Sequence, residues 1–137
     1  MEMKDISVDD LQLEVSVPVL KSISSGYWYL ATPYTKYTAG IEAAFVEACR
    51  IAAWLIGQDV SVYSPIAHTH PIAIHGRMDP VTNHSLWLRA DKPLMLAAHG
   101  LVVVRMAGWD ESIGIAEEME VFRAERKPVV FLDWPRR

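Results

Sequence analysis

Four short apolar runs alternate with stretches of helical periodicity along this chain. Tyr27-Trp28-Tyr29-Leu30-Ala31, bounded by Gly26 and Pro33, reads as a first strand. Thr32-Pro33-Tyr34-Thr35 follows as a loop, and Thr38 stands where a cap would open a helix over about residues 39–58. Ile41, Ala44, Phe45, Ala48, Ile51, Ala52 and Leu55 recur there at helical spacing, with Gly57 near the end. Residues 60–63 form a second strand. Residues 64–82 are rich in Pro, His and Gly and read as one long loop, a length that tends to carry function in compact domains. Thr82 or Asn83 can cap a helix reaching about His99, which Pro93 is expected to start, kink or divide. Residues 101–105 predict a third strand, 112–125 a last helix and 128–132 a fourth strand.

Alternation of this kind predicts an α/β fold: a parallel sheet with helices on both faces and right-handed crossovers. A strand order of 2-1-3-4, flavodoxin-like and Rossmann-like, would set a crevice beside strands 1 and 3. The loops after Ala31 and after Met106 both leave the C-terminal ends of those strands. Residues 26–137 are expected to form a single domain. Residues 1–25 form a mixed extension, in which Leu11, Leu13 and Val15 alternate with polar residues, suiting an edge strand or an arm on a neighbouring subunit.

Composition narrows the partners. The 137 residues suffice for one domain with a real core. A net charge of −4 argues against binding to a nucleic-acid polymer, which calls for a basic surface. Cys49 is the single cysteine; it fits a reducing cytoplasm and, within an Ala-rich helical pattern, a packed core thiol. No run approaches the ~18 apolar residues that span a bilayer, and the charged stretch Met1–Asp5 is followed by no signal-like apolar segment. A cytoplasmic location off the membrane is the expectation.

The third strand runs into Gly108-Trp109-Asp110-Glu111-Ser112-Ile113-Gly114-Ile115-Ala116-Glu117-Glu118. A strand–turn–helix junction of this type is where α/β proteins hold ligands. Gly114 lets a ligand approach the backbone, and Ser112 offers a hydroxyl beside the free N–H groups of a helix start. Taken alone, Ser112 is also an ordinary N-cap. Glu117, Glu118 and Glu120 compete for a role. At ~100° per residue, Ile115, Met119 and Phe122 form one stripe; Glu118 falls at its border, while Glu117 and Glu120 fall on the opposite side. A carboxylate turned toward a core or cleft is costly unless paired or used, which singles out Glu118; pairing with Arg105 is the bland alternative.

Three motifs in order extend the picture: Tyr29-Leu30-Ala31-Thr32-Pro33-Tyr34, Ser64-Pro65-Ile66-Ala67-His68-Thr69-His70-Pro71-Ile72-Ala73, and the run from Gly108 to Glu118. Together they resemble the nucleoside 2-deoxyribosyltransferase superfamily, specifically its DUF1937-type branch, over residues 27–132. The resemblance implies Glu118 as the nucleophile on the anomeric carbon of a nucleoside. It implies Asp91, matched on approximate spacing, as the second acid. Ser112 stands where deoxyribosyltransferases have aspartate and where the related nucleoside-monophosphate glycosidases have a serine that contacts the 5′-phosphate. That departure tilts the expected substrate toward a nucleotide. The resemblance also places Ala31, Thr32, Pro33, Tyr34, Ser64, Pro65, His68, Trp109 and Gly114 around the substrate, with His68 toward the base. It implies a homo-oligomer, a dimer or tetramer, and no cofactor.

The expected chemistry is cleavage or transfer at an N-glycosidic bond. An ionised Glu118 would stabilise positive charge on the sugar and form a glycosyl-enzyme, with Asp91 as general acid toward the leaving base. Thr35 and Lys36 can reach sugar or phosphate, or form a plain surface turn. Two other functions fit the sequence. His68, His70, His75 and His84 invite a metallohydrolase, although no HExxH motif supports a metal site. A nucleotide sensor would use the same fold without turnover.

Overall fold

A computed structural model describes residues 17–23 and 25–134 of the chain. The first described element, α1 (Val17–Lys21), is a short helix and not an edge strand. It docks through Leu20, which is fully buried and whose carbonyl accepts the indole N–H of Trp28 at 2.8 Å. The alternating residues Leu11, Leu13 and Val15 lie outside the described residues.

Four strands follow: β1 (Trp28–Ala31), β2 (Val62–Tyr63), β3 (Gly100–Arg105) and β4 (Val129–Asp133). They form one parallel sheet in the order β2-β1-β3-β4, as the alternation predicts. Trp28 pairs with Gly100 across β1 and β3, and Val102 with Val130 across β3 and β4. Gly100 is needed at its place, because an added Cβ would lie 2.7 Å from the Trp28 ring and 2.8 Å from the Pro128 carbonyl.

Strand alternation splits the core in two. Trp28, Leu30, Val102, Val104 and Leu132 face α2 (Ile41–Gly57), meeting Ile51 and Leu55 together with Leu20 of α1. Tyr29, Ala31, Leu101, Val103 and Phe131 face α4 (His84–Ala97) and α5 (Ile113–Ala124), meeting Met95, Ile115 and Phe122. Each such aliphatic or aromatic side chain contributes about 1.5–3 kcal/mol when taken out of water. The sheet is thus covered on both faces, which explains why its strands read as unbroken apolar runs.

Three local expectations are corrected. Residues 64–82 are not one loop: α3 (Pro65–His75) occupies more than half of them. Ser64 caps it, its hydroxyl accepting from the Ala67 N–H at 3.2 Å, and Pro65 takes the first turn, where no N–H is required. Pro71 removes one hydrogen bond inside the helix, but buried Ile66, His70 and Ala73 hold its inner face in place. Secondly, α2 starts at Ile41 and is preceded by Gly40 at φ 97, a conformation that favours glycine; Thr38 does not cap it. Thirdly, Pro93 neither starts nor divides α4, which runs from the Asn83 cap through to Ala97.

Candidate active site

The elements converge on a cleft at the C-terminal ends of β1 and β3, where the strand order reverses. It is an open cleft whose enclosed part measures about 120 Å³. Thr32 and Tyr34 enter from the loop after β1, and Pro65, Ile66 and Thr69 from the start of α3. His84, Trp87, Leu88, Asp91 and Met95 form one stripe of α4 along the cleft, and the first turns of α5 close it.

Local structure brings Glu118 inward. The Ser112 hydroxyl accepts the Ile115 N–H at 3.1 Å and fixes the first turn of α5. Ile115 and Phe122, seven residues apart, are buried against the sheet, and the Phe122 ring lies 5.7 Å from that of Tyr29. Glu118 lies between them, three residues after Ile115 and four before Phe122, so the same helix face carries it into the cleft. Arg105, its alternative partner from the sequence, pairs instead with Asp133 at 2.6 Å.

Burial sets the electrostatics. It pushes the Glu118 carboxyl up to about 8; the charge of Asp91 adds to this, the Tyr29 hydroxyl holds part of it back, and Glu117 pushes upward again. Asp91 is pushed up to about 6 by burial, offset by His68. The sequence predicts an ionised Glu118 at neutral pH; its surroundings instead shift the carboxyl toward the protonated form. Two carboxyls on different helices with raised proton affinity supply the equipment for acid–base work.

Thr32 Oγ1, buried in the cleft wall, has no hydrogen-bond partner among the described residues, and the buried Tyr29 hydroxyl is set against the Glu118 carboxyl without completing a well-aligned hydrogen bond. Such groups are rare in interiors and are commonly completed by water or a ligand. The mouth is held by a polar turn. Asp79 Oδ1 accepts the N–H of Val81 at 2.8 Å and of Thr82 at 3.2 Å, and the Asp79 carbonyl accepts the Trp87 indole N–H at 3.0 Å. His84 Nε2 donates to Glu117 Oε2 at 2.7 Å, tying α4 to α5 across the opening.

Of the residues singled out from sequence, Thr32, Tyr34, Thr35, Pro65, Asp91, Ser112, Gly114 and Glu118 line this one cleft. Ala31, Pro33, Ser64, His68 and Trp109 are not among its lining residues. Ala31 is buried in β1, and Ser64 caps α3. The Tyr63 hydroxyl hydrogen-bonds to His68 Nδ1 at 2.9 Å, and Trp109 packs edge-on against Phe131 at 5.5 Å. Tyr29, Thr69, His84, Trp87 and Glu117 line the cleft without having been singled out for it. Glu117 in particular faces the cleft mouth, although helical projection sets it away from the Ile115–Phe122 stripe. The histidines diverge: among the described residues no three metal-ligating side chains come together.

No helix among the described residues is long and apolar enough to cross a membrane. No curated protein matches the chain. The family model for Domain of unknown function (DUF1937) does match, over residues 26–133, so that β1 through β4 and every residue of the cleft fall inside it, and the chain belongs to that family.

Proposed function

We propose that this protein cleaves the N-glycosidic bond of a nucleoside or nucleoside 5′-monophosphate, or transfers the sugar to a second base, with Glu118 as nucleophile. One observation carries most of the weight. Glu118 is half-buried in the cleft wall, its carboxyl largely screened from water, and the charges acting on it are the carboxylates of Asp91 and Glu117. A carboxyl kept in such surroundings costs folding stability and is retained where chemistry uses it. The likeness of the three motifs to nucleoside 2-deoxyribosyltransferases supports the same reading.

In the proposed reaction a Glu118 oxygen bonds to C1′ as the C1′–N bond breaks, and the bonding pair leaves with the base. The base takes a proton from Asp91. Water, giving its proton back to Asp91, then releases the sugar; an acceptor base in place of water gives transfer. Positive charge developing on the sugar ring favours ionised Glu118, and the low polarity around it strengthens that attraction. The start of α5 presents free N–H groups beside Ser112, and a Cβ built on Gly114 would meet only Ser112 Oγ, at 3.8 Å, so a 5′-phosphate has room there. Exposed Ile72 and Ile74 on α3, and Ile113 at the start of α5, support assembly into a homo-oligomer, a dimer or tetramer.

The test is a panel of nucleosides and 5′-monophosphates, incubated with and without an acceptor base and assayed for free or exchanged base. Release from at least one member supports the proposal. Tight nucleotide binding with no release across the panel favours a sensor.

A further inference from the structure

Tyr34 lines the cleft and is the first of three polar residues running away from it. Its hydroxyl lies 2.5 Å from His70 Nδ1, and His70 Nε2 lies 2.8 Å from Glu42 Oε2. His70 is only 3% exposed, and its ring stacks on Phe45 with centroids 4.6 Å apart and planes within 22°. The Tyr34 ring meets the imidazole edge-on at 5.7 Å. The imidazole is therefore clamped on its face and at both nitrogens, while Glu42 reaches out to solvent.

With a neutral imidazole at His70 the hydrogen bonds run one way. The Glu42 carboxylate accepts, so Nε2 carries the imidazole proton and Nδ1 is left with a lone pair. Tyr34 donates its single O–H to that lone pair. Its oxygen then presents only acceptor capacity to the cleft. A phosphate oxygen, itself an acceptor, gains nothing there; a sugar hydroxyl, which donates, does. The unpartnered Thr32 Oγ1 is a hydroxyl on the same loop, two residues earlier.

We propose that Tyr34, oriented by His70 and Glu42, is the hydroxyl acceptor of the cleft and discriminates sugars by a ring hydroxyl, with His70 and Glu42 as positioning residues. The proposal rests on a sugar occupying this cleft, as in the reaction above. A site built to pair with a hydroxyl rejects the analogue lacking it far more strongly than an apolar site does.

Binding, measured without turnover, tests it. Ribose 5-phosphate, its 2-deoxy and 3-deoxy analogues, and inorganic phosphate are titrated calorimetrically into the full chain and into Tyr34→Phe and Glu42→Ala, each checked for an unchanged circular dichroism spectrum. The wild type is expected to lose about tenfold or more in affinity for one of the two deoxy sugars. Tyr34→Phe is expected to erase that ratio and Glu42→Ala to reduce it, with phosphate affinity unchanged. An unaltered ratio in Tyr34→Phe overturns the role of Tyr34 while leaving the sugar site standing. So does a fall in phosphate affinity, which would mean that Tyr34 donates to an anion. Failure of the wild type to bind any of the three sugars overturns both this role and the sugar site.

Discussion

Glu118 on α5, whose carboxyl burial already shifts toward the protonated form, is pushed further in the same direction by the charge of Asp91 on α4. The two carboxyls face one cleft from different helices and titrate as a pair, with the last proton favouring the more deeply buried Glu118. A substrate whose ring becomes positive reverses that preference. In the proposed reaction the pair would thus ionise Glu118 as charge develops on the sugar.

The pair makes stability depend on pH in a defined direction. Folding raises the Glu118 carboxyl from 4.5 to about 8, so the folded state holds a proton that the unfolded chain has already lost. That contribution is fully present below about pH 4.5 and is lost as pH rises through about 8. Urea unfolding at pH 5 and pH 8.5 should show this loss in the wild type. Glu118→Gln should flatten the dependence and be the more stable protein at pH 8.5 by about 1–3 kcal/mol. A wild-type slope that survives the substitution would place its origin elsewhere.

The same titration governs rate. A nucleophilic Glu118 must be ionised while Asp91 holds the proton it gives to the base, so the active form is the pair carrying one proton. Base release should therefore rise as pH climbs to about 6, level off, and fall above about 8. A rate that keeps rising beyond about pH 9 would remove the proton-donating role of Asp91.

Ser112 has two roles that substitution can separate. Ser112→Ala removes the cap of α5 and should cost about 1 kcal/mol of stability. Ser112→Asp keeps a good cap but places a negative charge where a 5′-phosphate would sit. It should retain stability, lose tenfold or more in kcat/KM for a nucleoside 5′-monophosphate, and leave the free nucleoside little affected. Equal losses on both substrates would remove the phosphate from this position.

The two loops that bracket the cleft touch at Gly108. Its φ is +85, and a Cβ there would lie 2.1 Å from the Lys36 carbonyl oxygen. Gly108→Ala should lower stability by about 2–4 kcal/mol, read from thermal unfolding. It should also weaken ligand binding, because the loop carrying Tyr34 would have to move away from the one leading to Ser112. An unchanged melting temperature would show that the contact yields freely.

Strand order and the carboxylate on α5 were legible because each follows from one periodicity. Buried parallel strands read as apolar runs, and a 3.6-residue repeat brings Glu118 beside Ile115 and Phe122. Helix α3 was hidden by its two prolines and three histidines, although Ser64-Pro65, a cap followed by a first-turn proline, is a start signal, and Ile66, His70 and Ala73 fall on one face. Tyr29 left no mark, since one more aromatic residue in an apolar strand looks like core; only the fold sets its hydroxyl beside Glu118. The His84–Glu117 and Glu42–His70 pairs join residues 33 and 28 positions apart, and local pattern carries no information at that range. Glu117 does lie away from the Ile115–Phe122 stripe, and it reaches the cleft mouth because α4 builds a second wall facing it, which a projection of one helix does not show.

Homo-oligomerisation is tested by light scattering at micromolar concentration. A mass at or above twice 15.4 kDa is expected, and a monomer would contradict it.

The central claim is that Glu118 attacks the anomeric carbon of a nucleoside or nucleotide. Its most direct test is base release by the wild type and by Glu118→Gln, assayed side by side on whichever panel member the wild type cleaves. The substitution is nearly isosteric and should leave fold and ligand affinity intact while lowering release by at least about a thousandfold. Full activity in Glu118→Gln would contradict the claim.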